Sequence, residues 1–576
     1  MISSILHFFF TYGFVPNLLL CFYVLYLIAL KKKHRTLYAF ALIGLTFLIK
    51  LQNFFLDDSY NSDEPYWIAG VRLLADNFNP YITCNPLSSG IGALIPLYLF
   101  NAIIHLNFFT IRVLETIMDL VTLFFSYKML SNRLKNNRAL LFLGMVILFC
   151  FLNLSFDKTF YTYNTEHFCI LIFAFVVYIF NKSLILDKGN HEQMEGGKLS
   201  NYIAIAGLLL GFSLFIKPQN IPVMFLLFIF YEVFIIYRKQ FKYAASLVIY
   251  CLLPVIVALL YFWYNGSIYD FYEEYIVTNI SYTGIGYINA NLHKNMGIDF
   301  LSICHYSAPI FKSVFLIICL SIAFIFAANV GKLKGSTKKD ILYLLQRPLF
   351  FLWVFRFPVL FLGVFVLTIY EIVLPKNYFH HYYILLYQPL LILLMSMRWF
   401  EVRKWLIALI LIIYTVTLCH KNYAYSSRNN SDDPKYFKNI SRVRVEFKKE
   451  VSQLDSVVNE NNCNKKYILV WGTDLRMFVY GRYLSVNRNI ENWTLLGYSG
   501  NLKDYYIKCF ISDLKANVVN NKFALLQYDK TEMIQNSISF ADFVQKNGLS
   551  SYFKSIKQVG AHSGYSFYVV ELNSGK

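Results

Sequence analysis

The chain has 576 residues, of which 57% are hydrophobic and only 15% are charged, and its mean hydropathy is +0.46. Soluble domains carry about a quarter charged residues, so this composition excludes an ordinary soluble protein and indicates many membrane spans. The net charge of +19 does not indicate nucleic-acid binding, because the basic clusters stand in short loops between apolar runs. This distribution is typical of cytoplasmic loops under the positive-inside rule.

Apolar runs recur as far as Cys419, after which the composition turns polar. We therefore predict a transmembrane domain over 1–420 and a soluble domain over 421–576. With soft ends, the runs give about 11–13 transmembrane helices. The candidate spans are 9–30, 36–56, 110–130, 139–156, 168–181, 202–216, 220–237, 243–264, 308–329, 350–374, 382–398 and 405–420.

Lysine and arginine counts place the basic loops in the cytoplasm and the long first loop, 57–109, outside together with the C-terminal domain. The run 88–107 would break this alternation if it crossed the membrane. It contains Pro96 and His105 and is the weakest span. We therefore predict a re-entrant or surface-lying segment there.

The C-terminal domain reads as a compact α/β module. Strands are predicted at Lys466–Gly472, Lys522–Tyr528 and Tyr565–Leu572, with helices near Ser441–Asn459 and Phe540–Gln545. No CxxC or Cys/His ligand spacing occurs among the ten cysteines. Cys463 and Cys509 share this domain and are able to pair if it is extracytoplasmic.

Two adjacent carboxylates, Asp63 and Glu64, follow the apolar run that ends near Leu56. Acids beside a span are costly to keep near lipid, so they indicate a functional site. The alternative is that they only solvate the mouth of a loop. When both are ionised they repel, which raises one pKa and favours a base that works nearer neutrality.

Several further motifs follow in a fixed order, and together they resemble the GT-C glycosyltransferases. The likeness is to relatives of the protein O-mannosyltransferases and of the lipid A aminoarabinose transferase, as in glycosyltransferase family 39. The motifs are Asp63-Glu64 leading into Tyr66, then Arg112, Glu166, Lys217-Pro218-Gln219 and His380-His381-Tyr382.

The resemblance implies a membrane all-α GT-C fold with a C-terminal extracytoplasmic α/β domain. It implies an inverting transfer of a sugar from a polyprenyl-phosphate donor to a lipid, polysaccharide or protein acceptor at the outer face of a bacterial inner membrane. Asp63 matches the family's base, with Glu64 supporting it or binding a metal. Glu166 matches a second acid that orients the acceptor or holds a divalent cation; its alternative is an interfacial ion pair with His167.

The resemblance also implies phosphate contacts and contacts with the acceptor or the sugar. Phosphate contacts are expected from Lys217, Arg112, His380 and His381. Contacts with the acceptor or the sugar are expected from Tyr66, Gln219 and Tyr382. The non-functional alternatives are that Lys217 only extends to the membrane interface and that Tyr382 belongs to an aromatic belt. No cofactor is certain, and a divalent cation is left open.

Three other functions compete with a transferase. A transporter or flippase of lipid-linked sugar would place acids in broken helices at the membrane midplane, with repeat symmetry. An inactive GT-C scaffold subunit would keep the spans without the chemistry. An O-antigen-type ligase would use a lipid diphosphate donor and a large His-bearing outer loop, which this sequence lacks.

Overall fold

The structure is a computed structural model, and it describes only part of the chain. The predicted spans 9–30, 308–329 and 405–420 lie outside the described residues. The described residues are 44, 46–47, 50, 54, 63–86, 89–134, 138–153, 162–186, 196–285, 356–373, 380–396, 435–472, 475–481, 483–490, 495–496, 498, 500–518, 521–528, 538–562 and 565–573.

The described residues before residue 400 are mainly helical. Two 3-10 segments, Pro218–Asn220 and His380–Leu386, and one π-helical segment, Tyr272–Val277, interrupt the α-helices. The α-helices are α1 Asp63–Asp76, α2 Ile91–Ile103, α3 Phe108–Arg133, α4 Arg138–Asn153, α5 Thr165–Leu186, α6 Gly196–Ser213, α7 Ile221–Tyr237, α8 Phe241–Tyr264, α9 Ile268–Phe271, α10 Thr278–Ile285, α11 Arg356–Val373 and α12 Tyr387–Ser396.

Three described helical stretches are long and apolar enough to cross a membrane: Thr165–Ser183, Pro218–Tyr237 and Phe241–Tyr264. A fourth is reached if the bent pair α2 and α3 counts as one span. Shorter apolar helices lie at other predicted spans, including Val359–Ile372 and His381–Ser396. The chain is therefore an integral membrane protein, as its composition indicates.

The weak run 88–107 contains helix α2, which has 13 residues and Pro96 inside it. At about 1.5 Å per residue it is about 20 Å long, which is less than the roughly 30 Å hydrocarbon core. It meets α3 at an angle of 120°. The re-entrant or surface-lying segment stays a prediction, and this length and bend are compatible with it.

Two glycines let α6 pack closely against α8. A Cβ on Gly207 would lie 2.7 Å from the Cβ of Tyr250 and 2.9 Å from the carbonyl oxygen of Leu247. Gly211 faces the backbone of Cys251 in the same way. Small residues allow such approach between apolar helices.

The C-terminal part is the predicted α/β module. Its strands form one five-stranded sheet in the order β2-β1-β3-β5-β4, in which β2, β1 and β3 are parallel and β3, β5 and β4 are antiparallel. Its elements are α13 Lys435–Glu460, β1 Tyr467–Trp471, α14 Arg476–Tyr480, β2 Leu484–Ser485, α15 Gly500–Asn517, β3 Lys522–Tyr528, α16 Phe540–Lys546, a 3-10 turn Leu549–Tyr552, β4 Phe553–His562 and β5 Tyr565–Leu572.

The three predicted strands are β1, β3 and β5. Their apolar residues pack against α15 and α16 in a core that includes Trp471, Phe510 and Phe540. Strand β4 was not predicted, because half of its residues are polar, and all but the first are exposed or half-buried. Cys463 and Cys509 are buried free thiols and do not form the disulfide considered above.

The chain divides into two compact units. The first takes the described residues within Met1–Asn53, Leu114–Ala258 and Asn295–Asp433. The second takes those within Phe54–Val113, Leu259–Lys294 and Pro434–Lys576. The α/β module thus shares a unit with two earlier segments, and the split at residue 420 stays a prediction.

Candidate functional site

In the second unit, the acid pair opens helix α1. Asp63 is half-buried in the first turn and Glu64 is fully buried. The free N–H groups of a helix N-terminus favour negative charge there, which is a local reason for two acids at this position. The two carboxylates therefore occupy different environments although they are neighbours in sequence.

Arg112 of α3 binds Glu64 through both carboxylate oxygens. Its Nη2 lies 2.7 Å from Oε2 of Glu64, and its Nε lies 3.1 and 3.2 Å from the two oxygens. Both side chains are fully buried, and the guanidinium stands 5.4 Å from the centre of the Phe108 ring. The arrangement fixes Glu64 as a partner of Arg112. Phosphate binding by Arg112 stays a prediction.

Tyr66 also lies inside this unit. It is buried, and its hydroxyl donates a hydrogen bond to the carbonyl oxygen of Asn85. The side chain of Asn85 in turn donates to Asn489 at 2.7 Å. Tyr66 therefore ties α1 to the segments around Asn85 and Asn489, and its expected contact with an acceptor or a sugar stays a prediction.

In the first unit, the second acid meets the predicted lysine. Glu166 lies in the first turn of α5, and Lys217 directly precedes the 3-10 turn Pro218–Asn220. The Lys217 ammonium forms a buried ion pair with Glu166 and donates to the hydroxyl of Thr165 at 3.2 Å. His381 brings its Nε2 within 3.9 Å of the Glu166 carboxylate.

The histidine and tyrosine motif lies in the 3-10 segment His380–Leu386. The Lys217 ammonium lies 4.8 Å from the centre of the Tyr382 ring, which is within the range of a cation–π interaction. His381 packs edge-on against Tyr382. His380 begins the segment, and its side chain lies outside the described part. Glu166, Lys217, His381 and Tyr382 thus form one buried cluster, which we call the Glu166 cluster.

Beside Lys217, a group of buried polar atoms lacks hydrogen-bond partners among the described residues. Gln388 donates to Asn220 at 2.8 Å, while its own Oε1 and the Nδ2 of Asn220 are unpaired. Glu371 accepts from the backbone N–H of Val223 at 3.1 Å through one oxygen and leaves the other unpaired. The Oε1 of Gln219 is also unpaired. Such atoms are rare in native proteins, and a bound polar ligand or ordered water would satisfy them.

The first unit also contains a buried ion cluster that the sequence analysis did not predict. Lys50 lies 2.5 Å from Glu115 and 2.6 Å from Asp119, both on α3. His167 lies 2.8 Å from Asp119, so it does not form the considered pair with Glu166. We call Lys50, Glu115, Asp119 and His167 the Lys50 tetrad. Its signal in the sequence is charge inside the predicted spans 36–56 and 110–130.

Two groups of described side chains have the composition of a metal site. They are Glu115 with Asp119 and His167, and Asp270 with Glu274 and Cys509. Each already contains a cation, because Lys50 bridges the first pair of acids and Arg488 lies 2.9 Å from Asp270 and 3.8 Å from Glu274. As arranged, neither group fits a divalent ion, and no catalytic step is assigned to a metal.

No protein-family model and no curated protein sequence matches the chain. Solved structures do match. ArnT from Cupriavidus metallidurans bound to undecaprenyl phosphate is 9% identical, over 93% of this chain and 98% of that one, with a TM-score of 0.49. The same protein in its apo state has a TM-score of 0.42. An oligosaccharyltransferase from Archaeoglobus fulgidus, in complex with Zn and sulfate, is 11% identical over 92% of this chain and 72% of that one, with a TM-score of 0.38.

The matched proteins are GT-C glycosyltransferases, the class that the sequence motifs resemble. Their TM-scores lie below 0.5 and their identities are 9–11%.

Proposed function

We propose that the chain is an inverting GT-C-type glycosyltransferase that moves a sugar from a polyprenyl-phosphate donor to a cell-envelope acceptor. The acceptor is a lipid, a polysaccharide or a protein, and the reaction takes place at the outer face of a bacterial inner membrane, where the C-terminal domain also lies. The Glu166 cluster is the observation that carries this proposal. The resemblance of the motifs to GT-C enzymes supports it.

The cluster has the chemistry needed for the leaving group. When the glycosidic bond breaks, negative charge develops on the lipid phosphate, and a fixed cation at that point stabilises it. An ammonium has three N–H donors. Among the described residues Thr165 and Glu166 accept from two of them, so one donor of Lys217 is directed at a phosphate oxygen in the proposed complex. His381 supplies a second donor.

The unpaired polar atoms beside Lys217 suit a sugar. From Gln219 to Val223 the chain runs through a 3-10 turn into the start of α7, a rise of about 7 Å at 1.5–2 Å per residue. The unpaired oxygens of Gln219, Gln388 and Glu371 are acceptors for sugar hydroxyls, and the Asn220 amide is a donor. A site that hydrogen-bonds hydroxyls rejects analogues that lack them, because its buried groups are then left unpaired.

Asp63 takes the role of base in this proposal. Glu64 is held by Arg112 through both oxygens, whereas Asp63 is half-buried, which favours Asp63 for proton transfer. The acceptor oxygen attacks the anomeric carbon, and its proton passes to a carboxylate base, the role that the motif resemblance gives to Asp63. The bond from that carbon to the phosphate oxygen breaks, and the polyprenyl phosphate leaves with the electron pair. A single displacement inverts the anomeric centre.

The test uses a strain of the native host that lacks the chain. It is complemented with the wild type, Asp63→Asn or Lys217→Met at equal membrane levels. Mass spectrometry of envelope glycolipids, polysaccharide and proteins should show one sugar lost in the deletion strain, with the polyprenyl-phosphate-linked sugar accumulating. Both variants should behave like the deletion.

Asp504→Asn is the matched control, because Asp504 is an exposed acid on α15. It should restore the wild-type pattern. The proposal fails if the deletion changes no glycoconjugate, or if Asp63→Asn and Lys217→Met both restore it fully.

One observation favours a second candidate, a flippase of lipid-linked sugar. Glu115 and Asp119 lie about 10 and 17 Å along α3, inside an apolar helix, and transporters place acids at such depths. Proteoliposomes with a fluorescent polyprenyl-phosphate sugar distinguish the two functions. A flippase moves the label between leaflets without an acceptor, and the Asp119→Asn variant should not move it. A transferase leaves the leaflet distribution unchanged.

A further inference from the structure

The stretch Ile268–Ile285 is a helix with two unlike faces, and it belongs to the second unit. It runs from α9 through the π-helical segment Tyr272–Val277 into α10. Gly266, in the left-handed conformation with φ of +69°, turns the chain just before it. No lysine or arginine occurs in the stretch.

One face of this helix is buried against its own unit. Phe271 packs its ring against that of Tyr81 at 5.4 Å, and Tyr275 lies next to both. The hydroxyl of Thr278 lies 2.7 Å from that of Tyr506 on α15. Glu274 on the same face is fully buried.

Arg488 secures this buried face to the α/β module. It lies 2.9 Å from Asp270 and 2.9 Å from Asp513, and it donates to the carbonyl oxygen of Tyr81 at 2.8 Å. Tyr505 donates to Asp270 at 2.7 Å and to Glu274 at 3.2 Å. The helix is therefore held in a fixed orientation by buried charge.

The opposite face is apolar and exposed. Tyr269 is 60% exposed, Tyr272 51%, Ile276 39% and Ile280 67%. Their spacing of three, four and four residues places them along one side of the helix. A soluble helix normally turns such residues inward, so an exposed row of this kind marks a contact surface.

The position of this row along the chain indicates what covers it. The apolar helix α8 immediately before it exposes Ile249 at 63% and Val257 at 58%, as expected for a helix in lipid. It ends in Trp263 and Tyr264, which are 72% and 88% exposed. Aromatic residues at the end of a span mark the boundary between lipid and water.

Only residues 265–267 separate that boundary from Ile268, and three residues extend at most about 10 Å. The helix therefore begins within headgroup distance of the hydrocarbon. Tyrosines and isoleucines on one face of a helix suit burial by a few ångströms in this zone.

We propose that Tyr269, Tyr272, Ile276 and Ile280 contact the lipid headgroup and acyl boundary, so that Ile268–Ile285 lies on the membrane surface and seats the α/β module there. Because the helix carries acids and no basic residue, the contact is apolar and does not require anionic lipid. This inference does not depend on the proposed enzymatic activity.

The test places the photoreactive residue p-benzoylphenylalanine in the full chain by amber suppression, at Tyr272 or Ile276. The protein is reconstituted in nanodiscs of phosphatidylcholine and illuminated, and adducts are read by mass spectrometry. The lipid-contact control is Ile249, and the aqueous control is Lys554, whose side chain is 66% exposed on β4. Both test positions should give lipid adducts as Ile249 does, while Lys554 gives none.

Adding phosphatidylglycerol should leave the adduct yield at Tyr272 and Ile276 unchanged within twofold. Because both side chains are exposed, the replacement leaves the fold intact, and Tyr269 is a third position on the same face. Lipid adducts at Ile249 but none at the test positions would overturn the proposal. Adducts to a protein in place of lipid would overturn it as well.

Discussion

Arg112 holds both carboxylate oxygens of Glu64, and neither side chain reaches solvent. The pair stands next to Asp63, which is half-buried. Glu64 is therefore expected to act in stability, and Asp63 in the reaction.

We expect Glu64→Gln to destabilise the chain by about 3–5 kcal/mol, because it removes the carboxylate charge that pairs with the buried Arg112 guanidinium. Asp63→Asn should change the free energy of unfolding by less than about 0.5 kcal/mol, as substitutions outside the core usually do. Denaturant unfolding of the purified protein in micelles measures both. Equal losses in the two variants would contradict the assignment.

The pair of Glu166 and Lys217 is expected to show strong coupling. Lys217→Met removes the ammonium that pairs with the buried Glu166 carboxylate, and should cost about 3–5 kcal/mol. The double variant Glu166→Gln/Lys217→Met removes both charges and should lose less than the sum of the single variants. A double-mutant cycle on the free energy of unfolding checks this, and additive losses would show that the pair is not a unit.

The packing of α6 on α8 predicts a contrast between two glycines. Gly207→Ala should destabilise by about 1–3 kcal/mol, because the new methyl group meets the Cβ of Tyr250 at 2.7 Å. Gly144→Ala is the control: its nearest neighbour is a flexible leucine methyl at 3.4 Å, and alanine favours a helix by about 1 kcal/mol. Melting temperatures of the two variants give the comparison. A loss in Gly144→Ala as large as that in Gly207→Ala would contradict it.

Stability should fall with rising pH because of Glu274. Burial raises the pKa of this carboxyl well above its ordinary value. Arg488 offsets the shift only in part, because it also binds Asp270 and Asp513. A carboxyl whose pKa is raised by folding contributes its full stabilisation below its pKa in the unfolded chain, which is about 4.3. That contribution is lost as the pH rises through the pKa in the folded protein. The contribution of Glu274 to the free energy of unfolding should therefore decline from about pH 4 upward.

Glu274→Gln cannot ionise and should show a flatter dependence of melting temperature on pH than the wild type. Tryptophan fluorescence is a suitable probe, since Trp471 lies in the core of the same unit. Glu273→Gln, at the half-buried neighbouring position, serves as the control and should keep the wild-type slope. Parallel slopes in the wild type and Glu274→Gln would refute the role of this carboxyl.

The sequence predicted the elements better than the contacts. Apolar runs located helices such as α7 and α8, because hydropathy alone decides which segments enter a bilayer. Glu166, Lys217 and His381 were each named from motifs, but their meeting in one cluster depends on packing. Strand β4 was missed because half of its residues are polar and its apolar residues do not alternate with them.

The Lys50 tetrad escaped prediction for a different reason. Charges at the ends of spans were taken as informative, while Lys50, Glu115 and Asp119 lie within spans. No local pattern states which of them will pair, because Lys50 and Asp119 are 69 residues apart. Arg488 poses the same difficulty at greater range.

The hydrogen bond from Arg488 to Tyr81 joins residues 407 positions apart, and Arg72 reaches the backbone of Phe478 across 406. At about 5–20 residues per second, the ribosome takes about 20–80 s to make the later partner after the earlier one. Helix α1 and the loop that contains Tyr81 therefore lack their C-terminal partners while the intervening spans are synthesised and enter the membrane. Biogenesis of this protein, more than its final stability, is the stage at which a chaperone or a translation pause would act.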